Sequence, residues 1–334
     1  MLDSKSCNAD SRRSAFWADV RYGMPKRRKD EDRAGTSGPN RMARDGHCVK
    51  SKLPGWLKIR VRVGGRDYEA LQNLMQGAQL HTVCESARCP NAHDCFARGT
   101  ATFLIMGDRC TRNCRFCAVP SAAPVPPDPR EPERVARMAA RLGLRHVVIT
   151  SVTRDDLPDG GARWFAAVIR AVRRRRPEAT IEVLTPDFKG DRTALRKVLA
   201  AHPNVFNHNL ETVRRLQPTI RPQADYDRSL SVLKMAVEMG RGRIRVKSGL
   251  MVGLGETDAE IRGALDDLRA AGCEWLTVGQ YLAPTAAHAP VKRYVTPRTF
   301  NRYAQWARER GFTAVASGPL VRSSFHAAEM MADG

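Results

Sequence analysis

The chain is predicted to be an α/β protein built around a parallel sheet. Apolar runs with the composition of buried strands recur at 101–106, 146–152, 180–186, 205–210, 244–254 and 275–282. Most gaps between them hold amphipathic stretches at helical spacing, such as "EPERVARMAARLG", "ARWFAAVIRAVRRR", "RTALRKVLAA", "YDRSLSVLKMAVEMG" and "DAEIRGALDDLRAAG". Parallel neighbours need crossover connections, and an intervening helix is the usual one. Six such units form either an incomplete (β/α) barrel or an open doubly wound sheet. No Gly-x-Gly-x-x-Gly follows the first strand, so the dinucleotide-binding version has no support.

Taken in order, residues 1–52 are polar, charged and rich in Ser, Gly and Arg without a sustained period, and read as a disordered basic extension. Residues 53–97 form an N-terminal segment in which "YEALQNLMQGAQL" predicts a short helix ahead of the cysteines Cys84, Cys89 and Cys95. Residues 98–296 hold the six strand–helix units. Residues 297–334 read as a C-terminal helix followed by "RSSF", Arg322 to Phe325. In either architecture ligands collect beyond the C-terminal ends of the strands. There the sequence places "DRCTRNCRFC", "TSVTRDDLPDGGA", "TPDFKG", "NHNLET", "GLGET" and "GQYLAPT", so all of them converge on one mouth.

Composition narrows the class of protein. The 334 residues can bury a large core, and no apolar run approaches the roughly 20 residues of a membrane span. The N-terminus lacks a secretory pattern, and Asp3, Asp10 and Asp19 interrupt the Arg-rich stretch that a mitochondrial transit segment would need. A reducing cytoplasm is therefore the expected setting, where clustered cysteines bind metal or do redox chemistry more often than they form disulfides. The net charge of +21 favours polyanionic partners, although an Arg-preferring composition explains it equally well. "RRRR" at Arg173–Arg176 closes a predicted helix before Pro177 and complements its C-terminus, which is a structural role.

Six of the nine cysteines fall within 34 residues, as two groups of three. Cys84, Cys89 and Cys95 are spaced C-x4-C-x5-C, and Cys110, Cys114 and Cys117 are spaced C-x3-C-x2-C. A structural zinc site usually wants four protein ligands. Three thiolates suit a 4Fe–4S cluster with one iron left open, and a C-x3-C-x2-C loop can wrap three corners of a cube. Two zinc sites completed by His81, His93 or distant residues are the weaker reading. Cys273 reads as a buried, inert thiol, and Cys7 and Cys48 as non-ligands.

The C-x3-C-x2-C loop after a first strand, with Phe116 before its last cysteine, resembles the radical S-adenosylmethionine superfamily. The remaining segments, from "CESARCPN" through "VVITSVTRDDLPDGGA", "IEVLTPDFKG", "VFNHNLETV", "KSGLMVGLGET" and "PVKRYVTP" to "GPLVRSSFHA", resemble the lipoyl synthase family over about Leu53 to Ala327. That resemblance implies an incomplete (β/α)6, TIM-like barrel with N- and C-terminal extensions over its mouth. It implies insertion of two sulfur atoms at C6 and C8 of a protein-bound octanoyl chain. Cys110, Cys114 and Cys117 would hold the cluster that binds S-adenosylmethionine. Cys84, Cys89 and Cys95 would hold an auxiliary 4Fe–4S cluster, the sulfur donor, with Ser324 as its fourth ligand and Ser323 as the fallback. Phe325 departs from the family's tyrosine at that position.

Ser151, Asp155, Lys189, Asn209, Glu211 and Arg221 are candidates for holding S-adenosylmethionine. Gly253, Gly255 and Glu256 are expected to form a turn beside it, and Arg322 to anchor a carboxylate. The implied partners are an octanoylated lipoyl carrier domain (a 2-oxoacid dehydrogenase E2 subunit or the glycine-cleavage H protein), a low-potential donor such as flavodoxin or ferredoxin, and an iron–sulfur cluster carrier. No nucleic acid, membrane or second copy of the chain is called for. A biotin synthase-like or tRNA methylthiotransferase-like enzyme is the nearest alternative, and a zinc-dependent nucleic-acid-binding protein a more distant one.

Overall fold

The computed structural model describes residues 53–57, 73–83, 91, 95, 100–324 and 327–333, all within one compact unit, Leu53–Gly334. The expected extension over 1–52 lies outside the described residues, as do Cys84, Cys89 and Phe325. One eight-stranded sheet runs in sequence order: β1 (His81–Thr82), β2 (Thr100–Ile105), β3 (His146–Ser151), β4 (Thr180–Leu184), β5 (Val205–Asn207), β6 (Arg245–Val252), β7 (Trp275–Gln280) and β8 (Ala314–Gly318). β1 pairs antiparallel with β2, and every later pairing is parallel. β1 and β8 form the two ends of the strand order, so the sheet is an open, partial barrel.

The six expected strands are all present, and the sheet continues past them. β8 adds a seventh parallel strand beside β7, within the segment expected to hold a helix and the "RSSF" ligand stretch alone. β1 likewise carries the sheet into the N-terminal cysteine segment. β5 is shorter than expected. It ends at Asn207, and the chain returns to the sheet at Glu211, whose left-handed backbone (φ +69°) lets it bridge to Leu250. Within that stretch Leu210 stays in the principal core, while Asn209 and Glu211 bond each other.

Connecting the strands are α1 (Glu131–Arg141), α2 (Ala162–Arg175), α3 (Arg192–Leu199), α4 (Tyr226–Gly240), α5 (Asp258–Ala270) and α6 (Pro297–Glu309), with α7 (Ala327–Asp333) closing the chain. Sequence-local caps start several of them. Asp191, Asp225 and Thr296 each accept a backbone N–H at their helix's first turn, and Thr257 with Glu260 forms a capping box. α2 buries Phe165, Ala166, Val168, Ile169 and Val172, the repeat of one helical face. Its basic end behaves as the sequence indicates: Arg173 donates to the Ala179 carbonyl (2.9 Å) and Asn204 Oδ1 (2.8 Å), tying the helix to the next two strands.

Alternate strand residues divide between two faces. Val147, Ile149, Ile181, Val183, Phe206, Val246, Leu276 and Val278 join the helices in the principal core. The intervening positions carry a buried polar network in which Lys247 Nζ donates to Glu182 Oε1 (3.0 Å) and Asn207 Nδ2 reaches the same oxygen (3.2 Å). Burial opposes the Glu182 charge, but Lys247 and His146 more than offset it and hold its pKa at about 2. Cys273 is fully buried, its thiol pushed up to about 12 mainly by desolvation, as an inert core cysteine should be.

Candidate active site at the strand ends

The loop from Cys110 to Cys117 leaves β2 and is fastened by four segments of the chain. Cys110 donates its N–H to the Pro120 carbonyl (2.9 Å) and accepts from Ala122, while Thr111 N–H reaches the Thr153 carbonyl (3.1 Å) beyond β3. Arg115 N–H bonds the Ile220 carbonyl (2.9 Å), and Ala289 N–H returns to the Arg115 carbonyl (2.8 Å). His288 Nε2 lies 3.0 Å from the Cys117 carbonyl oxygen. The loop is thus held by segments following β2, β3, β5 and β7.

The three thiols are half-buried and in no disulfide. Two backbone N–H groups, from Arg112 (3.4 Å) and Thr153 (3.3 Å), point at Cys110 Sγ. Such donors favour a sulfur that carries thiolate charge, as a cluster ligand does. Burial raises the Cys114 thiol and pushes Cys117 up to about 11; the charges of the neighbouring thiols and of Glu211 add to both. Desolvated thiols of this kind gain most from a cationic metal centre. Among the described residues no three His, Cys, Asp or Glu side chains converge as a single-ion site would.

Around the loop stand buried polar atoms without a protein partner: Ser151 Oγ, Thr185 Oγ1, His208 Nε2, Asn209 Oδ1 and Arg221 Nε. Buried polar groups in native folds are satisfied, by ligand or water where not by protein. This set mixes donors and acceptors, which suits a polar cofactor such as S-adenosylmethionine. Asn209 Nδ2 also donates to Glu211 Oε1 (3.0 Å), and Arg221 Nη1 to the Asn209 and Leu210 carbonyls (both 3.2 Å).

Other candidates are occupied with the scaffold. Asp155 is paired with Arg112, and Lys189 Nζ donates to the Asp155 carbonyl (3.1 Å). Glu256 receives the N–H groups of Gly253 (2.7 Å) and Leu254 (2.9 Å), anchoring the turn after β6. At Gly253, φ is +99° and a Cβ would lie 2.3 Å from Gln280 Nε2, so only glycine fits. Arg322 Nη1 donates to the Val321 carbonyl (2.8 Å), and Gly279 is the close-approach point over which Val321 passes: a Cβ there would meet the Val321 oxygen at 2.1 Å.

The C-terminal serines reach the same mouth. Ser323 Oγ accepts from Asn209 Nδ2 at 2.7 Å, whereas Ser324 Oγ makes no hydrogen bond among the described residues. Asn91, buried between the positions of Cys89 and Cys95, donates to the Leu320 carbonyl at 2.6 Å. One contact therefore joins the first cysteine segment to the serine segment, and another joins the serine segment to the strand ends.

Arg112, Asp187 and His208 were not among the sequence candidates. Arg112 had a visible signal, its place between two cysteines; the other two acquire significance only through residues on separate loops. His208 Nδ1 meets the Thr185 carbonyl at 2.9 Å, and burial, aided by Arg221, lowers its pKa to about 4 from the usual 6.5. The unfolded state therefore binds this proton more readily, so the contribution to stability is complete above pH 6.5 and is lost as pH falls toward 4. His208→Asn, whose amide can still donate to Thr185, should remove roughly 3 kcal/mol of that acid-side loss. Urea unfolding of both metal-free chains between pH 4.5 and 7.5 would show it as a flatter profile, and parallel profiles would refute it.

Residues 104–268 match the model of the radical S-adenosylmethionine superfamily, and residues 26–89 match that of the N-terminal domain of lipoyl synthase. The chain is 56% identical over 280 residues to a lipoyl synthase of Rubrobacter xylanophilus, covering 84% of this chain and 87% of that one. It is 54% identical over 281 residues to a lipoyl synthase of Thermus thermophilus, covering 84% and 86%. Among solved structures, the FeFe-hydrogenase maturase HydG of Carboxydothermus hydrogenoformans superposes with a TM-score of 0.54 at 14% identity, over 70% of this chain and 56% of that one. Streptococcus suis SuiB bound to S-adenosylmethionine gives 0.51 at 14% identity, over 76% and 56%. These structural likenesses show a shared fold. Membership of the superfamily brings S-adenosylmethionine and a 4Fe–4S cluster as cofactors. With more than half of the aligned residues identical to those of curated relatives over most of both chains, and with its strand-end cysteine loop, the chain belongs to the lipoyl synthase family of radical S-adenosylmethionine enzymes.

Proposed function

We propose that Cys110, Cys114 and Cys117 hold the cluster that binds S-adenosylmethionine, and that Cys84, Cys89, Cys95 and Ser324 hold a second, auxiliary 4Fe–4S cluster. The reaction is insertion of two sulfur atoms at C6 and C8 of an octanoyl chain carried on a lysine. When bound, the first cluster supplies the electron that cleaves the sulfonium, and the second supplies sulfur. The observation that supports this reading is the bond between Asn209 and Ser323, which ties the C-terminal serine segment to the chain just after β5. With Ser323 engaged there, Ser324 is the serine available as a ligand. An alkoxide or hydroxyl oxygen is a harder donor than thiolate and a poorer match for cluster iron, which suits a ligand that must let go when sulfur leaves.

This chain's own residues would bind, orient and exclude water. Asn209, Glu211, Arg221 and Ser151 would hold the cofactor's polar groups, the turn at Gly253–Glu256 would shape its rim, and Val321–Ser324 would cover it. The substrate is an octanoylated lipoyl domain of a 2-oxoacid dehydrogenase E2 subunit or the glycine-cleavage H protein. A flavodoxin or ferredoxin would supply electrons and a cluster carrier the iron and sulfide, in a cytoplasmic setting, the enzyme acting as a monomer. Among the described residues no helix is long and apolar enough to cross a membrane.

The test is the iron and sulfide content of anaerobically reconstituted protein. Wild type should hold about eight irons per chain, and a variant with Cys84, Cys89 and Cys95 all changed to Ala about four. A single cluster in the wild type would remove the sulfur-donor part of the reading.

A further inference from the structure

We infer that Arg112 is a positioning residue that sets the Cys110–Cys117 loop in its cluster-binding shape before iron arrives, by clamping it to the ends of β3 and β4. The inference rests on the reading of that loop as the site of the first cluster. Arg112 lies between two of the thiols, and its guanidinium grips two carboxylates from two other loops. Nε and Nη2 donate to Asp155 Oδ2 (2.7 Å) and Oδ1 (2.9 Å), while Nη1 and Nη2 donate to Asp187 Oδ2 (3.1 Å) and Oδ1 (2.7 Å). Both pairings are bidentate, which fixes the direction of the side chain as well as its distance.

Burial makes the clamp rigid. The side chains of Arg112 and Asp187 are 4% and 0% exposed, with Asp155 at 24%. Burial works against the charges of Arg112 and Asp187, yet the hydrogen bonds to Asp155 and Asp187 leave the guanidinium pKa above its ordinary value, and Arg112 holds the Asp187 carboxyl at about 2. Arg228, 3.3 Å from Asp187, supplies a second cation, so two acids face two bases. Losing Arg112 would strand the fully buried Asp187 with one partially exposed arginine. Lysine would keep the charge but has no fork with which to serve both carboxylates.

The clamp also aims the backbone. The Arg112 amide is one of the two N–H groups directed at Cys110 Sγ, so swinging its side chain out of the clamp would turn that donor from the sulfur. Neighbouring bonds run the same way: Asp155 N–H donates to Thr111 Oγ1 (3.1 Å), and Thr111 Oγ1 to the Thr153 carbonyl (2.9 Å). Asp187 accepts Lys189 N–H (3.1 Å), and Lys189 reaches back to the Asp155 carbonyl. Asp155 thus holds the loop both through Arg112 and directly at Thr111, and Lys189 braces Asp155.

Amide hydrogen exchange on the metal-free full-length chain tests this directly. In Arg112→Gln, exchange across 108–120 should rise on the order of tenfold or more while 245–280 stays at the wild-type rate. Arg112→Lys should recover less than half of that protection. After reconstitution, Arg112→Gln should lose the irons of the first cluster and keep those of the auxiliary one. Wild-type exchange over 108–120 in Arg112→Gln would overturn the inference, and so would an equal rise throughout the chain. Should Arg112→Gln not fold, Asp155→Asn, which removes the more exposed carboxylate, is expected to speed exchange in the same segment alone, and no change there would count against the clamp. A wild-type chain whose loop depends on Arg112 but takes up no iron would sink the cluster reading and leave the clamp standing.

Discussion

Replacing Cys110 by alanine should reduce 5′-deoxyadenosine formation below about a thousandth of wild type, a rise of more than about 4 kcal/mol in the barrier. The loop's shape does not depend on this side chain. Backbone bonds from Cys110 to Pro120 and Ala122, from Thr111 to Thr153 and from Arg115 to Ile220 remain, and so does the Arg112 clamp. What disappears is a sulfur toward which the Arg112 and Thr153 amides both point, and neither amide gains a new acceptor. The loss is thus one of ligation with the fold retained. It is measured as nucleoside released per chain by reduced, reconstituted protein given S-adenosylmethionine alone. A rate within tenfold of wild type would show that Cys110 is not a ligand of that cluster.

Replacing Cys84 by alanine should separate the two halves of the reaction. Formation of 5′-deoxyadenosine should persist within about tenfold, while sulfur insertion into an octanoylated carrier falls below about one hundredth of wild type, because the ligand set proposed for the auxiliary cluster loses one of its three thiolates. The separation follows from how the elements are joined. The Cys110 loop is fastened by segments after β2, β3, β5 and β7, whereas, among the described residues of the first cysteine segment, β1 pairs with β2, Met75 and Leu80 enter the principal core and Asn91 bonds the Leu320 carbonyl. Damage to that segment should leave the radical-generating half in place. The two readouts are nucleoside release and the intact mass of the carrier. Full lipoylation by this variant would dismiss Cys84 as a ligand of the sulfur donor.

Much of the architecture was legible because buried parallel strands are written as continuous apolar runs, and because helix caps are local. β2 to β7 and the helices between them follow from "TATFLI", "HVVITS" and their like, together with capping residues such as Asp225 and Thr257. β8 was not legible. "AVASG" is made of small residues that are mostly half-buried, and it becomes a strand because β7 offers an open edge. The end of β5 at Asn207 is also a tertiary outcome, since the return at Glu211 is set by bonds to Gly249 and Met251 on β6.

The same division holds for the site. The spacing of the cysteines favoured iron–sulfur chemistry over the weaker zinc reading, because a short loop that must wrap several irons carries its ligands in a local pattern. Which polar residues face the cofactor and which hold the scaffold could not be read that way. Asp155, Lys189 and Glu256, candidates for cofactor contacts, each also bond the scaffold, at Arg112, at the Asp155 carbonyl and at the turn at Gly253. Arg112, Asp187 and His208 looked ordinary and lie buried at the mouth. A hydrogen bond between loops 43 or 75 residues apart in the chain is determined by where the strands place those loops. Local pattern therefore determined the element order and favoured the metal chemistry, while the close approach of distant strand ends decided which charges are paired, which are left facing the mouth, and where the serines of the C-terminus come to rest.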